Sequence, residues 1–388
     1  MTDYDNLLSE RIKKIKPSGI RRFFDIVEEM EGCVSLGIGE PDFVTPWHIR
    51  EAGIKSLEEG HTYYTSNWGL IELRKEIAAY MKRRFNLDYK YKDEIVVTVG
   101  GSEAIDMTIR ALINPGDEVL IPEPTFVCYG PITELASGVP VCVETTAENE
   151  FRLTAKSLKE KITPKSKLLI LPYPCNPTGA IMGQKDLEEI AEVLKDNNIL
   201  ILSDELYAEL TYSDKHYSIA MFDGFKERTV VINGFSKAFA MTGWRLGFAC
   251  GPAPIIEAIT KAHQYAVMSA PTTSQYAAIE AIKNGGEDVA FMKEQYNQRR
   301  RYIVTALRQM GFDCFEPLGA FYVFPSIKKF GMTSEEFCEK LLEKEKCAVI
   351  PGSAFGDCGE GYVRMSYAYS IEKITEALKR IDRFIKSL

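Results

Sequence analysis

Lys237 is the side chain in this sequence with the greatest potential for covalent chemistry. It follows the apolar run Val230–Asn233 after a short Gly234-Phe235-Ser236 segment, so its amine is expected at the end of a buried strand. A desolvated lysine loses its proton more readily and becomes nucleophilic, as Schiff-base chemistry requires. The alternative is a structural ion pair with a buried carboxylate.

Asp204 presents the same situation with the opposite charge. It follows the apolar run Ile199–Ser203 directly, and Glu205-Leu206-Tyr207 comes after it. Burying a carboxylate is costly unless a cation or a proton donor meets it. Asp204 therefore needs a partner, which is either Lys237 or a group that the protein binds.

Three further loops follow predicted strands and carry polar or aromatic residues. Gly100-Gly101-Ser102-Glu103 opens a helix and could bind an anion such as phosphate, although tight strand-to-helix turns need glycine anyway. Phe126 ends the Pro122–Phe126 loop, where it is also compatible with a core position. Asn176 lies in the Pro172–Gly179 loop. Ligands of open α/β sheets bind at the carboxyl ends of the strands, so we expect these loops to converge.

The elements that position these residues are short apolar runs alternating with amphipathic helices, which predicts an α/β domain with parallel strands. Gln184–Asn197 is typical of the helices, because Leu187, Ile190, Ala191 and Leu194 form one apolar stripe. The predicted strands are Ile95–Val99, Val119–Ile121, Leu168–Leu171, Ile199–Ser203, Val230–Asn233 and Gly247–Cys250.

The two ends of the chain predict a second, smaller α+β domain. A charged helix (Lys293–Met310), a strand (Ala320–Phe324) and a helix (Ser334–Glu345) are followed by another strand and a final helix. Near the start, apolar residues from Ile20 to Met30 recur at helical spacing, and we expect this helix to pack on the C-terminal part. The predicted division is a large domain over 49–287 and a small domain formed by 1–48 and 288–388.

Composition excludes several classes of function. The 388 residues are 45% apolar and 26% charged with a formal charge of −8, and no basic cluster suggests nucleic acid or a membrane surface as a partner. Met1–Lys16 lacks the apolar core of a secretion signal, so we expect a cytoplasmic protein. The nine scattered cysteines indicate reduced thiols, and the four histidines are too far apart for a standard metal site. We predict no metal.

The segment from Ser236 to Gly247, SKAFAMTGWRLG, resembles the lysine motif of class I, aspartate aminotransferase-like enzymes that use pyridoxal 5'-phosphate (PLP). The resemblance spans nearly the whole chain and also includes Leu36–Phe43, Tyr64–Arg74, Asn176–Gly179, Asp204–Tyr207, Pro351–Gly356 and Val363–Ser366. It implies PLP fold type I, with a mostly parallel seven-stranded sheet flanked by helices in the large domain. It also implies transfer of an amino group between an L-amino acid and a 2-oxo acid by a ping-pong mechanism.

The resemblance assigns roles to residues of this sequence. Lys237 would hold the cofactor as a Schiff base and move a proton between the substrate's Cα and the cofactor. Asp204 would pair with the pyridine nitrogen, while Asn176 and Tyr207 would donate hydrogen bonds to the ring oxygen. Phe126 would stack on the ring. The residues implied at the phosphate end are Gly101, Ser102, Glu103, Ser236 and Arg245.

Substrate binding and assembly follow from the same resemblance. Arg364 would bind the substrate's α-carboxylate in bidentate fashion, helped by Gly39, with Phe126 and Asn176 beside it. Tyr64 would reach the phosphate of the neighbouring subunit, so a homodimer with shared active sites is expected. Relatives often carry a serine where this chain has Gly234, which would remove one hydroxyl contact to the cofactor.

Other functions remain open at this point. The same lysine and cofactor also serve elimination and C–S cleavage, so a PLP-dependent lyase is the main alternative. Ser18–Phe23 resembles the start of aminotransferases acting on N-acetyl-diaminopimelate or on aromatic and other broad substrates, and Arg21 or Arg22 could approach a distal substrate group. An effector-binding domain of a transcription regulator would need a DNA-binding module, for which the segment before Leu36 is too small. Gly37-Ile38-Gly39 lacks the third glycine of a dinucleotide site.

Overall fold

The fold was determined as a computed structural model that describes Tyr4, residues 6–17, Gly19, residues 30–213 and residues 215–388. The helix predicted from Ile20 onward lies almost entirely outside the described residues, as do Arg21 and Arg22.

A seven-stranded sheet forms the centre of the described structure. Its order is β2-β8-β7-β6-β5-β3-β4, and its pairs are parallel except where β8 joins β2 and β7. The predicted α/β class and the mostly parallel sheet are confirmed. Strand β4 was not located from the sequence, because Val139–Glu144 is a largely unburied edge strand interrupted by Pro140. The strands are β1 (Val34–Ser35), β2 (Ile95–Thr98), β3 (Glu118–Glu123), β4 (Val139–Glu144), β5 (Ser166–Leu171), β6 (Leu200–Asp204), β7 (Thr229–Gly234) and β8 (Gly247–Cys250).

Helices cover both faces of this sheet, which explains why its central strands are apolar throughout. The helix at 184 buries the predicted stripe but ends at Leu194, because the Asn197 side chain donates a hydrogen bond to the Val193 carbonyl at 2.8 Å. In the part of the chain before residue 285 the helices are α1 (Glu10–Lys14), α2 (Trp47–Glu58), α3 (Ile71–Phe85), α4 (Gly100–Leu112), α5 (Tyr129–Leu135), α6 (Ala155–Lys159), α7 (Gln184–Leu194), α8 (Ala253–Ala266) and α9 (Thr272–Asn284).

The C-terminal part joins the N-terminal segment through small sheets. Strand β1 pairs in parallel with β10, while β11, β12 and β9 form an antiparallel sheet. The strand predicted at 320–324 is observed only at Tyr322–Val323. The charged helix predicted from Lys293 begins earlier, at Gly286. These elements are α10 (Gly286–Gln309), β9 (Tyr322–Val323), α11 (Ser334–Glu345), β10 (Cys347–Ala348), β11 (Ile350–Pro351), β12 (Val363–Ser366) and α12 (Ile371–Lys386).

The topology brings the predicted loops to one edge of the large sheet. The parallel strands β3, β5, β6 and β7 all end there, and α4 begins there after β2. Because β8 runs antiparallel, it starts at this edge, so Arg245 just before it reaches the same place. Among the described helices, none has the length and apolar character needed to cross a bilayer.

Candidate active site

A cavity of about 520 Å³ opens at this edge of the sheet. Its walls come from both groups of elements, since Tyr322 and Arg364 of the C-terminal sheet face loops of the large sheet. The sequence-predicted residues that line it are Gly39, Gly101, Ser102, Phe126, Asn176, Asp204, Tyr207, Ser236, Lys237, Arg245 and Arg364. The structure therefore brings together residues separated by more than three hundred positions in the chain.

Lys237 presents its amine to the interior of the cavity. Its Nζ donates a hydrogen bond to the Gly39 carbonyl at 2.8 Å and lies 5.7 Å from the ring centres of Tyr207 and Phe321. Burial lowers the pKa of Lys237 to about 8, with the Arg364 and Arg245 charges acting in the same direction. A large share of this amine is therefore neutral near pH 8, as a nucleophile or a proton acceptor must be.

Asp204 is buried at the end of β6 without a charged partner. The Tyr129 hydroxyl donates a hydrogen bond to its Oδ2 at 2.7 Å, and the Leu206 N–H donates to its Oδ1 at 3.2 Å. Burial raises the pKa of Asp204, while the Tyr129 hydrogen bond opposes this. No cation of the described chain forms an ion pair with it, so the alternative of a structural pair with Lys237 is not what the fold contains.

The opposite part of the cavity is suited to an anion. Gly101 and Ser102 lie in the first turn of α4, where backbone N–H groups and the helix dipole favour negative charge. Ser236 and Arg245 line the same region, and the Arg245 guanidinium is held near its place by a 3.1 Å hydrogen bond to the Thr242 carbonyl.

Two predicted cofactor residues do not line the cavity. The Glu103 carboxylate accepts the Val99 N–H at the start of α4 and lies 2.7 Å from His263 Nδ1, so the predicted cofactor contact of Glu103 stays a prediction. Tyr64 is 81% exposed on the chain surface. Its predicted contact with a neighbouring subunit is not tested by a single chain.

Arg364 is buried beside Asn176 at the end of the cavity nearest β12. One guanidinium nitrogen donates to Asn176 Oδ1 at 2.9 Å, another donates to the Gly37 carbonyl, and Nε has no partner in the described structure. The guanidinium also lies 4.6 Å above the Tyr322 ring. A buried arginine without a carboxylate partner is suited to bind the carboxylate of a ligand.

Tyr129 and Tyr322 are site residues that the sequence analysis missed. Tyr129 follows Phe126 by three residues and is the first residue of α5, and a search for donors near Asp204 could have suggested it. Tyr322 lies in the predicted strand at 320–324, and its hydroxyl is 2.8 Å from that of Tyr207. Gly39 packs against the same hydroxyl, since a Cβ at position 39 would lie 2.3 Å from it.

Comparisons with known proteins agree with the geometry of the cavity. The family model of class I and II aminotransferases matches residues 31–381. YugH of Bacillus subtilis, provisionally named an aminotransferase, is 54% identical over 99% of both chains, and an aspartate aminotransferase of Pyrococcus abyssi is 47% identical over 98% of both. The crystal structure of an aromatic aminotransferase from Pyrococcus horikoshii superposes with a TM-score of 0.90 at 46% identity, covering 94% of this chain and 99% of that one.

The chain belongs to the class I and II aminotransferase family. It is a PLP-dependent aminotransferase, and the substrate pair is the part that the family leaves open.

The residues present fit this cofactor. A buried carboxylate without a cation, Asp204, suits a protonated pyridine nitrogen. The first turn of α4 with Arg245 suits a phosphate, and the buried amine of Lys237 suits an aldehyde. Position 234 needs its glycine, because a Cβ there would come within 2.9 Å of the Gly247 backbone. The glycine at position 234, where relatives often carry a serine, therefore allows the close packing of β7 against β8.

Proposed function

We propose that this aminotransferase binds amino donors mainly through their α-carboxylate and accepts aspartate and aromatic amino acids alike, passing the amino group to a 2-oxo acid in a ping-pong mechanism. The observation that carries the proposal is Arg364, a buried guanidinium with an unpartnered Nε and no carboxylate beside it in the described chain. A substrate carboxylate would complete its hydrogen bonds.

The wall of the cavity supports a broad donor range. Among the described residues, the cations that line it are Lys237, Arg245 and Arg364. Each already has a proposed role, with the cofactor's aldehyde, its phosphate and the α-carboxylate of the donor respectively. A dedicated cation for a distal carboxylate is therefore not part of the described wall. Ile38 and the aromatic rings of Phe126 and Tyr322 offer apolar surface instead. The names of the relatives, which cover both aspartate and aromatic substrates, agree with this range.

The proposed roles of the cofactor-binding residues follow from their positions. Asp204, held by Tyr129, would pair with the ring nitrogen; Asn176 and Tyr207 would contact the ring oxygen; and Phe126 would cover one ring face. Gly101, Ser102, Ser236 and Arg245 would bind the phosphate. When bound, PLP withdraws electrons from the substrate Cα and so acidifies its C–H bond.

Lys237 would carry the proton. Its neutral Nζ would accept the proton from the donor's Cα and, as an ammonium group, would deliver it on the cofactor side. The lowered pKa of Lys237 serves both steps, because the free energies of its two protonation states are close near neutral pH. Arg364 orients the donor, and burial of the cavity floor keeps water from the reacting carbon.

The test is a half-reaction with purified protein. Adding aspartate, phenylalanine, alanine or glutamate separately should convert the cofactor's aldehyde absorbance to that of its amine form, with rates for aspartate and phenylalanine within about tenfold of each other. Strong rejection of one of these two donors would refute the broad range. Release of pyruvate and ammonia without any 2-oxo acid acceptor would identify a lyase instead.

A homodimer with Tyr64 at the partner's phosphate site is part of the proposal, as is the domain division at 49–287. The exposed Tyr64 side chain supports the first, and the two small sheets built from the chain ends support the second. Light scattering measures the mass of the protein in solution and so tests the dimer. Titration with PLP, compared between the wild type and Tyr64→Phe, tests the contact of Tyr64 with the phosphate. A fully active monomer would contradict it.

A further inference from the structure

Two cysteines and a glutamate meet beside the edge strand β4 of the large sheet, and none of them lines the cavity. Cys142 lies in β4, Glu123 ends β3, and Cys358 lies in the turn Asp357–Gly359 that precedes β12. The two sulfur atoms are 3.7 Å apart, and the donor atoms of all three residues lie within 4.8 Å of one another. All three side chains are half-buried, so the cluster is packed but open to solvent.

The spacing suits one shared cation. Two zinc–sulfur bonds of about 2.3 Å at a tetrahedral angle place their sulfur atoms about 3.8 Å apart, whereas a disulfide needs about 2.05 Å. The 3.7 Å between Cys142 Sγ and Cys358 Sγ is close to the sulfur–sulfur distance of a shared zinc site. Glu123 supplies an oxygen donor on the same side, which gives two soft ligands and one hard ligand.

The surroundings of the cluster are anionic. The carboxylates of Asp357 and Glu144 lie near the cluster, and the Cys142 thiol is hydrogen-bonded to Glu123. A half-buried carboxylate without a counter-charge is unfavourable unless a cation or a proton neutralises it.

The fold holds these donors in place without help from a ligand. The Thr125 N–H donates to the Phe355 carbonyl at 3.0 Å, which fixes the turn over the end of β3. Gly356 passes so close to Glu123 that a Cβ at position 356 would lie 2.4 Å from its carboxylate oxygen. Ligands that converge from separate elements with a fixed backbone are preorganised for metal binding.

We propose that Glu123, Cys142 and Cys358 form a binding site for a thiophilic divalent cation of the zinc class, with water as the fourth ligand. The histidine spacing that argues against a metal does not bear on this site, because its ligands are two cysteines and a glutamate that the fold brings together. Binding replaces two thiol protons by the cation, so the affinity rises with pH by up to about 100-fold per unit. The cation would connect the turn before β12 to the strand that precedes Phe126.

The experiment uses the reduced holoenzyme after dialysis against a chelator, with Zn²⁺ as the probe and a competing chromophoric chelator. We expect one zinc per chain in the wild type, and affinity at least about 100-fold weaker in Cys358→Ser and in Cys142→Ser. Glu123→Gln should weaken binding less, because both thiolates remain. Zinc should raise the thermal unfolding midpoint of the wild type, raise that of Glu123→Gln by less, and leave those of the two cysteine variants nearly unchanged.

Cys33→Ser is the matched control, since Cys33 is also half-buried but lies elsewhere in the chain. Zinc that binds the cofactor or unrelated thiols contributes equally to the Cys33→Ser and Cys358→Ser variants. Equal affinity in these two variants, or the absence of stoichiometric binding in the wild type, would overturn the proposal. So would a Cys142–Cys358 disulfide in the isolated protein. Unfolding midpoints measured without zinc show that each variant is folded.

Discussion

The amine of Lys237 gives the most quantitative prediction. Burial lowers its pKa from the ordinary 10.5 to about 8. At pH 7 about one amine in ten is then neutral, compared with about one in three thousand for an unperturbed lysine. The cofactor-free protein should therefore react with PLP about 300-fold faster than a free lysine side chain does, from this effect alone.

The assay compares two rates across pH. Cofactor-free protein and Nα-acetyl-lysine amide are each mixed with PLP from about pH 6 to about pH 10, and the ratio of their rates removes the titrations of PLP itself. With a pKa of about 8 for Lys237, the ratio is constant below pH 8 and falls tenfold per unit above it, because only the free lysine still gains neutral amine. A ratio that stays constant up to pH 10 would refute the argument.

Glu40 allows the electrostatic cause to be tested separately. Its charge raises the pKa of Lys237, in opposition to burial. Glu40→Gln should therefore move the bend in the rate ratio to lower pH, whereas Glu58→Gln on the exposed side of α2 should leave it in place. A bend that moves upward in Glu40→Gln would show that the electrostatic sign is wrong.

Four substitutions test other contacts of the site. Arg364→Lys should lower kcat/KM for amino donors about 10- to 100-fold, because it loses bidentate binding of the carboxylate; an unchanged value would place the carboxylate elsewhere. Gly39→Ala should lower kcat/KM, and adding Tyr322→Phe should restore part of it, because the new methyl group would lie 2.3 Å from the Tyr322 hydroxyl. Tyr129→Phe removes the hydrogen bond that lowers the pKa of Asp204, so Asp204 should take up its proton at a higher pH than in the wild type. On acidification, PLP followed by its absorbance should therefore be released at a higher pH. An unchanged pH midpoint of release would count against the pairing of Asp204 with the ring nitrogen.

The sheet could be predicted because its strands are buried on both faces and therefore apolar throughout. Five of the six predicted strands differ from the observed ones by one to three residues at one or both ends, and β8 agrees. The edge strand β4 escaped detection because only Val143 of its six residues is a fully buried apolar residue. Short strands such as β1 and β10 are defined by pairing between chain ends, which local sequence patterns do not contain.

Some residues of the site could likewise be predicted from the sequence, and others could not. Lys237 and Asp204 could be found because a charge directly after an apolar strand is unusual, whereas Tyr322 sits in an ordinary strand pattern. Its importance comes from the 2.8 Å contact with Tyr207, a residue more than a hundred positions away. The contact between Glu103 and His263 could not be predicted either, because 160 positions separate the two residues.

The charges of the cavity explain why the fold and the cofactor belong together. Asp204 has no internal cation, Lys237 donates only to a carbonyl, and Arg364 retains an unpartnered Nε in the described chain. Each group is therefore less stable in the cofactor-free chain than it would be in water or beside an opposite charge. If Asp204 and Lys237 were paired with each other, this cost would vanish, and so would the affinity for a ring that is cationic at one end and an aldehyde at the other. The absence of an ion pair between Asp204 and Lys237 favours cofactor binding at the expense of the stability of the free protein.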